Sequence, residues 1–295
     1  MTEDQPPEVA ELIARSNRLG ADPRNTNYAG GNTSAKGTLT DPVTGEPAEL
    51  LWVKGSGGDL GTLTADGLAV LRLDRLRALT ARYPGEERED EMVAAFDYCL
   101  HGKGGAAPSI DTAMHGLVGA AHVDHLHPDA GIALATAADG EGLTRSCFGD
   151  RVAWLPWRRP GFQLGVDIAQ VHQTRPDAIG VILGGHGITA WGATSEECEA
   201  RSLEIIATAQ RFLDDNGHGQ PFGQKIDENQ PLPIPCACAE PPNSRPPSEG
   251  WPLPTSARSG TSPTARWCST SSPAPSTPRS PRSAHPAPTT SCARR

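Results

Sequence analysis

The feature that most limits how this chain folds is a change of composition near residue 230. Of the 28 prolines in the 295 residues, 16 fall among residues 231–295. That segment has 7 basic and 2 acidic side chains, whereas residues 1–230 have 19 basic and 33 acidic ones. A packed core needs periodic apolar residues, which residues 234–295 lack. We therefore predict one acidic globular domain over residues 1–225 and a Pro/Ser/Arg-rich tail over residues 226–295.

Two explanations of this tail stay open. It is a disordered basic segment, or it is GC-rich coding DNA read in the wrong frame, which typically yields Pro, Arg, Ser and Ala. One permitted choice of GC-rich codons for residues 250–295, read in a shifted frame, gives helical apolar spacing that the tail itself lacks. The second explanation predicts a chain truncated by a frameshift, and both predict a tail without function.

The remaining composition excludes several classes of protein. No stretch approaches the ~20 apolar residues of a membrane span. The first 15 residues contain neither the basic nor the apolar region of a secretory signal. Seven cysteines without framework spacing are typical of a reducing compartment, and an acidic domain does not favour nucleic-acid binding. We expect a cytoplasmic protein that binds neither membranes nor nucleic acids.

Helical and strand patterns alternate over residues 1–220, which predicts a layered α/β fold. The predicted helices cover residues 6–20, 68–82, 86–100, 111–121, 165–174 and 195–214, the last with Ser195 as its cap. The predicted strands cover residues 48–54, 123–127, 132–137, 151–156, 178–183 and 188–191.

Three histidines form the strongest candidate for a chemical site. His125 and His127 lie two residues apart in a predicted strand, where side chains at i and i+2 point to the same face. His186 follows two glycines in a turn about 60 residues later and could complete a set of three imidazoles. Three protein ligands with an open fourth position are typical of catalytic zinc. The alternative is that each is an ordinary surface or turn histidine.

Other polar residues surround this pattern. Asp111 and His115 are four residues apart at a predicted helix start, so they share a face, and Asp111 is either a general acid/base or a capping carboxylate. His115 is more typical of a packed histidine, and His122 points to the strand face opposite His125. Two Gly-rich segments, at residues 30–34 and 54–59, have the backbone N–H groups and hydroxyls that suit phosphate binding, with added charge from Lys54.

The order of the motifs GGNTS, KGSGGDL, PSID-x₃-H, DHLHP and LGGHG resembles the class II aldolase/adducin family over residues 10–225. PSID and HVDHLHPDA are most similar to the aldolase part of bifunctional rhamnulose-1-phosphate aldolase/lactaldehyde dehydrogenase proteins. The resemblance implies a three-layer α/β/α domain with a central, mainly antiparallel sheet.

The resemblance also implies a site. The three histidines match metal ligands for Zn²⁺ or another divalent cation, and Asp111 falls where many aldolases of the family have a catalytic Glu that is one methylene longer. The residues that match the positions holding the substrate phosphate are Asn32, Ser56, Gly57 and Ser109.

The implied reaction is the reversible retro-aldol cleavage of a ketose 1-phosphate, L-rhamnulose 1-phosphate, to dihydroxyacetone phosphate and L-lactaldehyde. By analogy with the family we expect a homo-oligomer with a small sugar phosphate as substrate. Two alternatives stay open: a sugar-phosphate 4-epimerase of the same superfamily, and a non-catalytic or inactive truncated adducin-like domain.

Overall fold

The computed structural model describes residues 6–217, except for the side chains of residues 103 and 104. The predictions for the tail, residues 226–295, lie outside the described residues. The helices are α1 (Pro7–Gly20), α2 (Leu73–Ala78), α3 (Glu89–Ala95), α4 (Thr112–Leu117), α5 (Asp129–Thr136), α6 (Gly140–Phe148), α7 (Phe162–Thr174) and α8 (Ser195–Asn216). The strands are β1 (Asn32–Thr40), β2 (Pro47–Lys54), β3 (Leu68–Arg72), β4 (Leu100–Gly105), β5 (His122–Leu126), β6 (Val152–Leu155), β7 (Gly180–Leu183) and β8 (Gly187–Gly192).

All eight strands belong to one sheet, in the order β4-β3-β2-β1-β5-β8-β7-β6. Every neighbouring pair is antiparallel except β6 and β7. Strand β5 lies in the middle, where Asn32 of β1 and Thr189 of β8 both pair with His125. The predicted α/β class with a central, mainly antiparallel sheet is confirmed.

Helices cover both faces of the sheet, because its central strands have apolar side chains pointing to each face. In β2, Leu51 and Val53 pack against α2, α3, α4 and α7, whereas Leu50 and Trp52 pack against α1. Helices α5 and α8 cover the same face as α1, next to β7 and β8. This gives the three layers that the family resemblance implies.

The predicted helix at residues 68–82 is wrong in its first part. Leu68 to Arg72 form strand β3, in which Ala69 and Leu71 pack on one face of the sheet and Leu68 and Val70 on the other. A strand that is buried on both faces has a nearly continuous apolar run, and periodicity does not distinguish such a run from a helix. Only the short helix α2 and a 3₁₀ turn follow it.

The same ambiguity explains the error at residues 132–137, and several element boundaries also differ from those predicted. Of the strand predicted at 132–137, all residues but the last belong to helix α5, which begins directly after Pro128 and buries Ala130 and Leu134. Of the helix predicted at 86–100, only Glu89–Ala95 is α-helical, with 3₁₀ turns on either side, and β4 begins at Leu100. Helix α6 has no counterpart among the predicted helices. Helix α8 is capped by Thr194, whose hydroxyl accepts the backbone N–H of Glu197, and not by Ser195.

Among residues 6–217, no helix is long and apolar enough to cross a membrane.

Candidate metal centre

Strand order brings the three histidines together. His125 is the penultimate residue of β5 and His127 directly follows the strand. His186 lies in the turn between β7 and β8, and the pairing of β8 with β5 places this turn beside the end of β5. One ring nitrogen from each histidine lies within 4.8 Å of the others. The three residues singled out in the sequence therefore meet at one edge of the sheet.

Hydrogen bonds fix how two of these rings face each other. The Nδ1 atom of His125 lies 2.9 Å from the backbone carbonyl of Ile188, which only accepts, so this nitrogen is the protonated one. The Nδ1 atom of His127 lies 2.9 Å from Oδ1 of Asn27 and donates in the same way. The two remaining Nε2 atoms are only 3.0 Å apart. Two facing lone pairs repel unless a cation lies between them, so the arrangement fits ligands that share one ion.

The third ring has an orphaned nitrogen. Nδ1 of His186 is buried and has no hydrogen-bond partner among residues 6–217. An unpaired buried polar atom costs free energy, which a bound ion would recover. Together with the His125/His127 pair, this donor set fits a divalent cation held by three imidazoles.

Burial keeps the three imidazoles neutral. Loss of hydration, together with the neighbouring His127, lowers the pKa of His125 to about 3. Burial also lowers the pKa of His186 to about 3 and the pKa of His127 below its usual value. Neutral imidazole is the form that binds metals, so the cluster is ready to bind a cation at neutral pH.

Asp111 lies at the N-terminus of α4 but makes no capping hydrogen bond there. Its Oδ1 atom is buried without a hydrogen-bond partner among the described residues. Burial raises the pKa of Asp111, and the charges of His186, His127 and Lys54 act in the opposite direction. A carboxyl group with a raised pKa next to the imidazoles suits proton transfer better than it suits capping.

Two of the four residues assigned to phosphate binding contact each other beside Asp111. The Nδ2 atom of Asn32 donates to Oγ of Ser109 at 3.2 Å and to the backbone carbonyl of Lys54 at 2.9 Å. The backbone N–H of Asp111 donates to the same Ser109 hydroxyl at 3.2 Å. These hydrogen bonds connect the start of β1, the end of β2 and the start of α4 into one polar surface beside the histidines.

The other two assigned residues, Ser56 and Gly57, lie on the loop after β2. The N–H of Ser56 donates to the carbonyl of Ala107, so Ser56 offers its hydroxyl alone. Gly57 and Gly58 have φ angles of 72° and 70°, and neither N–H has an acceptor among residues 6–217. Lys54 donates from Nζ to the Gly57 carbonyl at 3.0 Å, beneath a cavity of about 250 Å³ that this loop lines. Two free N–H groups and an ammonium suit an anion.

Two further histidines lie outside the cluster. His115 is completely buried, with its Nδ1 atom 2.8 Å from Oγ of Ser34. His122 lies on the opposite face of β5, where its Nδ1 atom accepts from Arg15 at 3.1 Å. The structure places both where the sequence predicted, one as a packed residue and one on the far face.

Arg15 anchors that far face of β5 to α1 and α8. Its guanidinium donates to Asp124 at 3.0 Å, to Ser195 at 2.7 Å and to the backbone carbonyl of Ser34 at 2.8 Å. Ser202 of α8 donates to the second carboxylate oxygen of Asp124 at 3.1 Å. Every charged atom of this group is buried and paired, so the strand that bears His125 is held rigidly from behind.

The fold and the site define a class of protein: three-layer α/β domains with a histidine cluster at one edge of a mainly antiparallel sheet. Within that class, the chain belongs to the class II aldolase and adducin family, because the model of the "Class II Aldolase and Adducin N-terminal domain" matches residues 11–213.

Comparison with individual proteins agrees with this membership. The chain is 40% identical over 230 residues to the "uncharacterized oxidoreductase YuxG" of Bacillus subtilis (strain 168), a match that covers 77% of this chain and 32% of that protein. The chain thus spans about a third of the length of this curated relative. An N-terminal class II aldolase domain of a conserved Thermoplasma acidophilum protein is 27% identical with a TM-score of 0.63, covering 72% of this chain and 97% of that one. A sugar-phosphate aldolase from Thermotoga maritima has the same fold at 14% identity, with a TM-score of 0.51 and coverage of 72% and 96%.

Sequence reasoning missed the residues that orient the histidines. The partner of His125 is the backbone carbonyl of Ile188, for which no side-chain signal exists. The partner of His127 is Asn27, which lies 100 positions away in a loop without periodic pattern. Only the strand pairing of the folded protein brings these groups together.

Proposed function

We propose that this chain catalyses the metal-dependent aldol cleavage of a ketose 1-phosphate, L-rhamnulose 1-phosphate, to dihydroxyacetone phosphate and L-lactaldehyde. The observation that supports this most is the convergence of three neutral imidazoles beside a buried carboxyl group, Asp111. His125, His127 and His186 would hold Zn²⁺ or another divalent cation. Bound there, the ion would supply Lewis acidity that stabilises negative charge developing on the substrate oxygens.

The hydrogen-bonded pair of Asn32 and Ser109, together with the loop after β2, would hold the phosphate. Asn32 and Ser109 are already oriented by their mutual hydrogen bond, and Ser56 and Gly57 lie on the loop with the free N–H groups. Lys54 adds positive charge at the base of this loop. Binding energy from the phosphate, which does not react, then orients the carbons that do.

Asp111 would move the proton on the carbon skeleton. Cleavage breaks the C3–C4 bond: C4 leaves as an aldehyde after its hydroxyl gives its proton to water, and the bonding electron pair stays on C3. C3 then takes its proton from the carboxyl group of Asp111, whose raised pKa keeps a larger fraction protonated near neutral pH. In the direction of synthesis, the carboxylate removes the same proton.

The choice of substrate has separate support. The Bacillus subtilis relative is named an oxidoreductase, and the match covers 32% of it. An oxidising activity in a longer protein would suit a reaction that releases an aldehyde. This supports an aldehyde product in general, and the resemblance carried by PSID and HVDHLHPDA is what favours lactaldehyde and rhamnulose 1-phosphate in particular.

The test uses the purified chain loaded with Zn²⁺ and supplied with L-rhamnulose 1-phosphate. Released dihydroxyacetone phosphate and released aldehyde are measured separately, each through a coupled NADH-dependent reductase. We expect both products in equal amounts. An isomeric ketose phosphate without free aldehyde would instead indicate the 4-epimerase, and no turnover with any ketose phosphate would indicate the non-catalytic alternative.

Variants test the metal site directly. His127→Ala should lose bound zinc and cleavage together, because it removes one of three ligands. The control is His172→Ala, since His172 packs on Trp191 and is not one of the clustered histidines. If His127→Ala retains a full equivalent of zinc, His127 is not a ligand and the proposal is wrong.

Two further proposals concern the whole chain. We expect a homo-oligomer, which light scattering of the purified protein would measure. We also propose that the tail is read out of frame, which a single-base insertion or deletion in the DNA around codons 230–245 would establish. An intact frame there would leave the disordered tail as the explanation.

A further inference from the structure

We propose that Asn27, in the loop 22–31, is a positioning residue that holds the ring of His127 in its ligand orientation. The inference rests on the proposed function, in which the histidine cluster holds a divalent cation. It concerns a residue that contacts His127 and is not itself one of the three clustered histidines.

The loop is hydrogen-bonded to the segment that bears His127 at three points. The side chain of Asn27 accepts from Nδ1 of His127 at 2.9 Å. The backbone N–H of His127 lies 3.4 Å from the hydroxyl of Thr26, and the N–H of Asp129 donates to the carbonyl of Arg24 at 3.1 Å. Since β5 ends at Leu126, His127 has no strand neighbour to orient it, and these bonds replace that support.

A glycine leaves room for the contact. A Cβ atom at Gly30 would lie 2.0 Å from Oδ1 of Asn27 and 2.9 Å from Nδ1 of His127, which are the two atoms of the hydrogen bond. Gly30 does not have a positive φ angle, so its backbone does not require glycine. Space for the Asn27–His127 pair is therefore the reason for glycine at this position.

The loop also contains a strained residue close to this contact. Ala29 has a φ angle of 58°, and it is the one non-glycine residue among residues 6–217 with a positive φ. Such backbone is strained and persists where the surrounding structure requires it. The carbonyl of Asn27 accepts the N–H of Gly30 at 3.0 Å, which closes this turn independently of the Asn27 side chain.

The contact has a defined chemical effect. By accepting the Nδ1 proton, Asn27 leaves the Nε2 lone pair of His127 facing the Nε2 atom of His125. Loss of such an outer hydrogen bond typically weakens metal binding 10- to 100-fold. Asn27→Ala should therefore raise the dissociation constant for metal by about that factor without removing a ligand.

The experiment titrates the metal-free full chain with Zn²⁺ alone, in competition with a chromophoric chelator. Asn27→Ala and Gly30→Ala should both weaken binding about 10- to 100-fold. Asn27→Asp should bind within about threefold of the unaltered chain, because a carboxylate oxygen accepts the same proton. Tyr28→Ala is the matched control: Tyr28 is the next residue in the loop, is 84% exposed, and should leave zinc affinity unchanged.

The outcomes separate the inference from the function on which it rests. If the unaltered chain binds no zinc, the proposed function fails. If it binds zinc and Asn27→Ala binds equally well, only the positioning role is wrong. Equal weakening in Asn27→Asp or in Tyr28→Ala would also overturn it, since loop integrity rather than the acceptor oxygen would then set the affinity.

Discussion

Replacing Arg15 by Met should be among the most damaging single changes in the domain. The guanidinium has no exposed surface, and the change leaves the equally buried carboxylate of Asp124 without its counter-ion. The hydroxyl of Ser202 still donates to Asp124, but the neutral partners His122 and Ser195 lose their donor. Breaking one side of a buried ion pair costs about 3–5 kcal/mol. In a domain of this size that corresponds to a decrease in melting temperature on the order of 10 °C.

Urea unfolding, followed by circular dichroism, measures the loss. The control is Arg77→Met, since the ion pair of Arg77 with Glu49 is exposed on both sides and should contribute less than about 1 kcal/mol. The double variant Arg15→Met/Asp124→Leu should be more stable than the sum of the two single losses implies, because no unpaired charge remains. A loss below about 1 kcal/mol in Arg15→Met would refute the view that this network anchors β5.

Three more predictions follow from the site and its surroundings. Burial, aided by Arg15, lowers the pKa of His122 to about 4, so the unfolded chain binds more protons than the folded one between pH 6.5 and 4. The free energy of unfolding should fall over that range by up to about 3 kcal/mol on account of His122, and urea titrations of His122→Gln should lack this share. Asp111→Asn should lower kcat by roughly 10²- to 10⁴-fold at unchanged zinc affinity, and a loss below tenfold in the cleavage assay would remove Asp111 from proton transfer. Removing zinc by chelation should lower the melting temperature by about 5–10 °C if zinc had been present at 100 times its dissociation constant, and zinc but not Mg²⁺ should restore it.

Much of the fold could be predicted because local signals agree with it. Helix α1, strand β2 and helix α8 each have the length and periodicity of their final structure. The predictions are wrong where a segment has a nearly continuous run of apolar residues, as in β3 and α5. The spacing of apolar residues then does not distinguish a strand from a helix. Whether such a segment becomes a strand or a helix is decided by packing partners that lie far away in the chain.

The candidate site also has a part that the sequence predicts and a part that it does not. The spacing of His125 and His127 and the glycines before His186 are visible in the sequence, and the structure brings all three together. The groups that orient them, Asn27 and the carbonyl of Ile188, depend on pairing between distant segments. The clustering of the three histidines was therefore predictable, whereas the contacts that set the geometry of their rings were not.

The two faces of strand β5 contribute to two different parts of the domain. His122 and Asp124 point toward α1 and α8, while His125 points toward the candidate metal centre. Deleting one residue within the strand would exchange these faces, turning an imidazole into the ion-pair network and a carboxylate into the histidine cluster. The alternation of β5 therefore determines both the anchoring of the strand and the candidate metal centre, so a shift of register would disrupt both together.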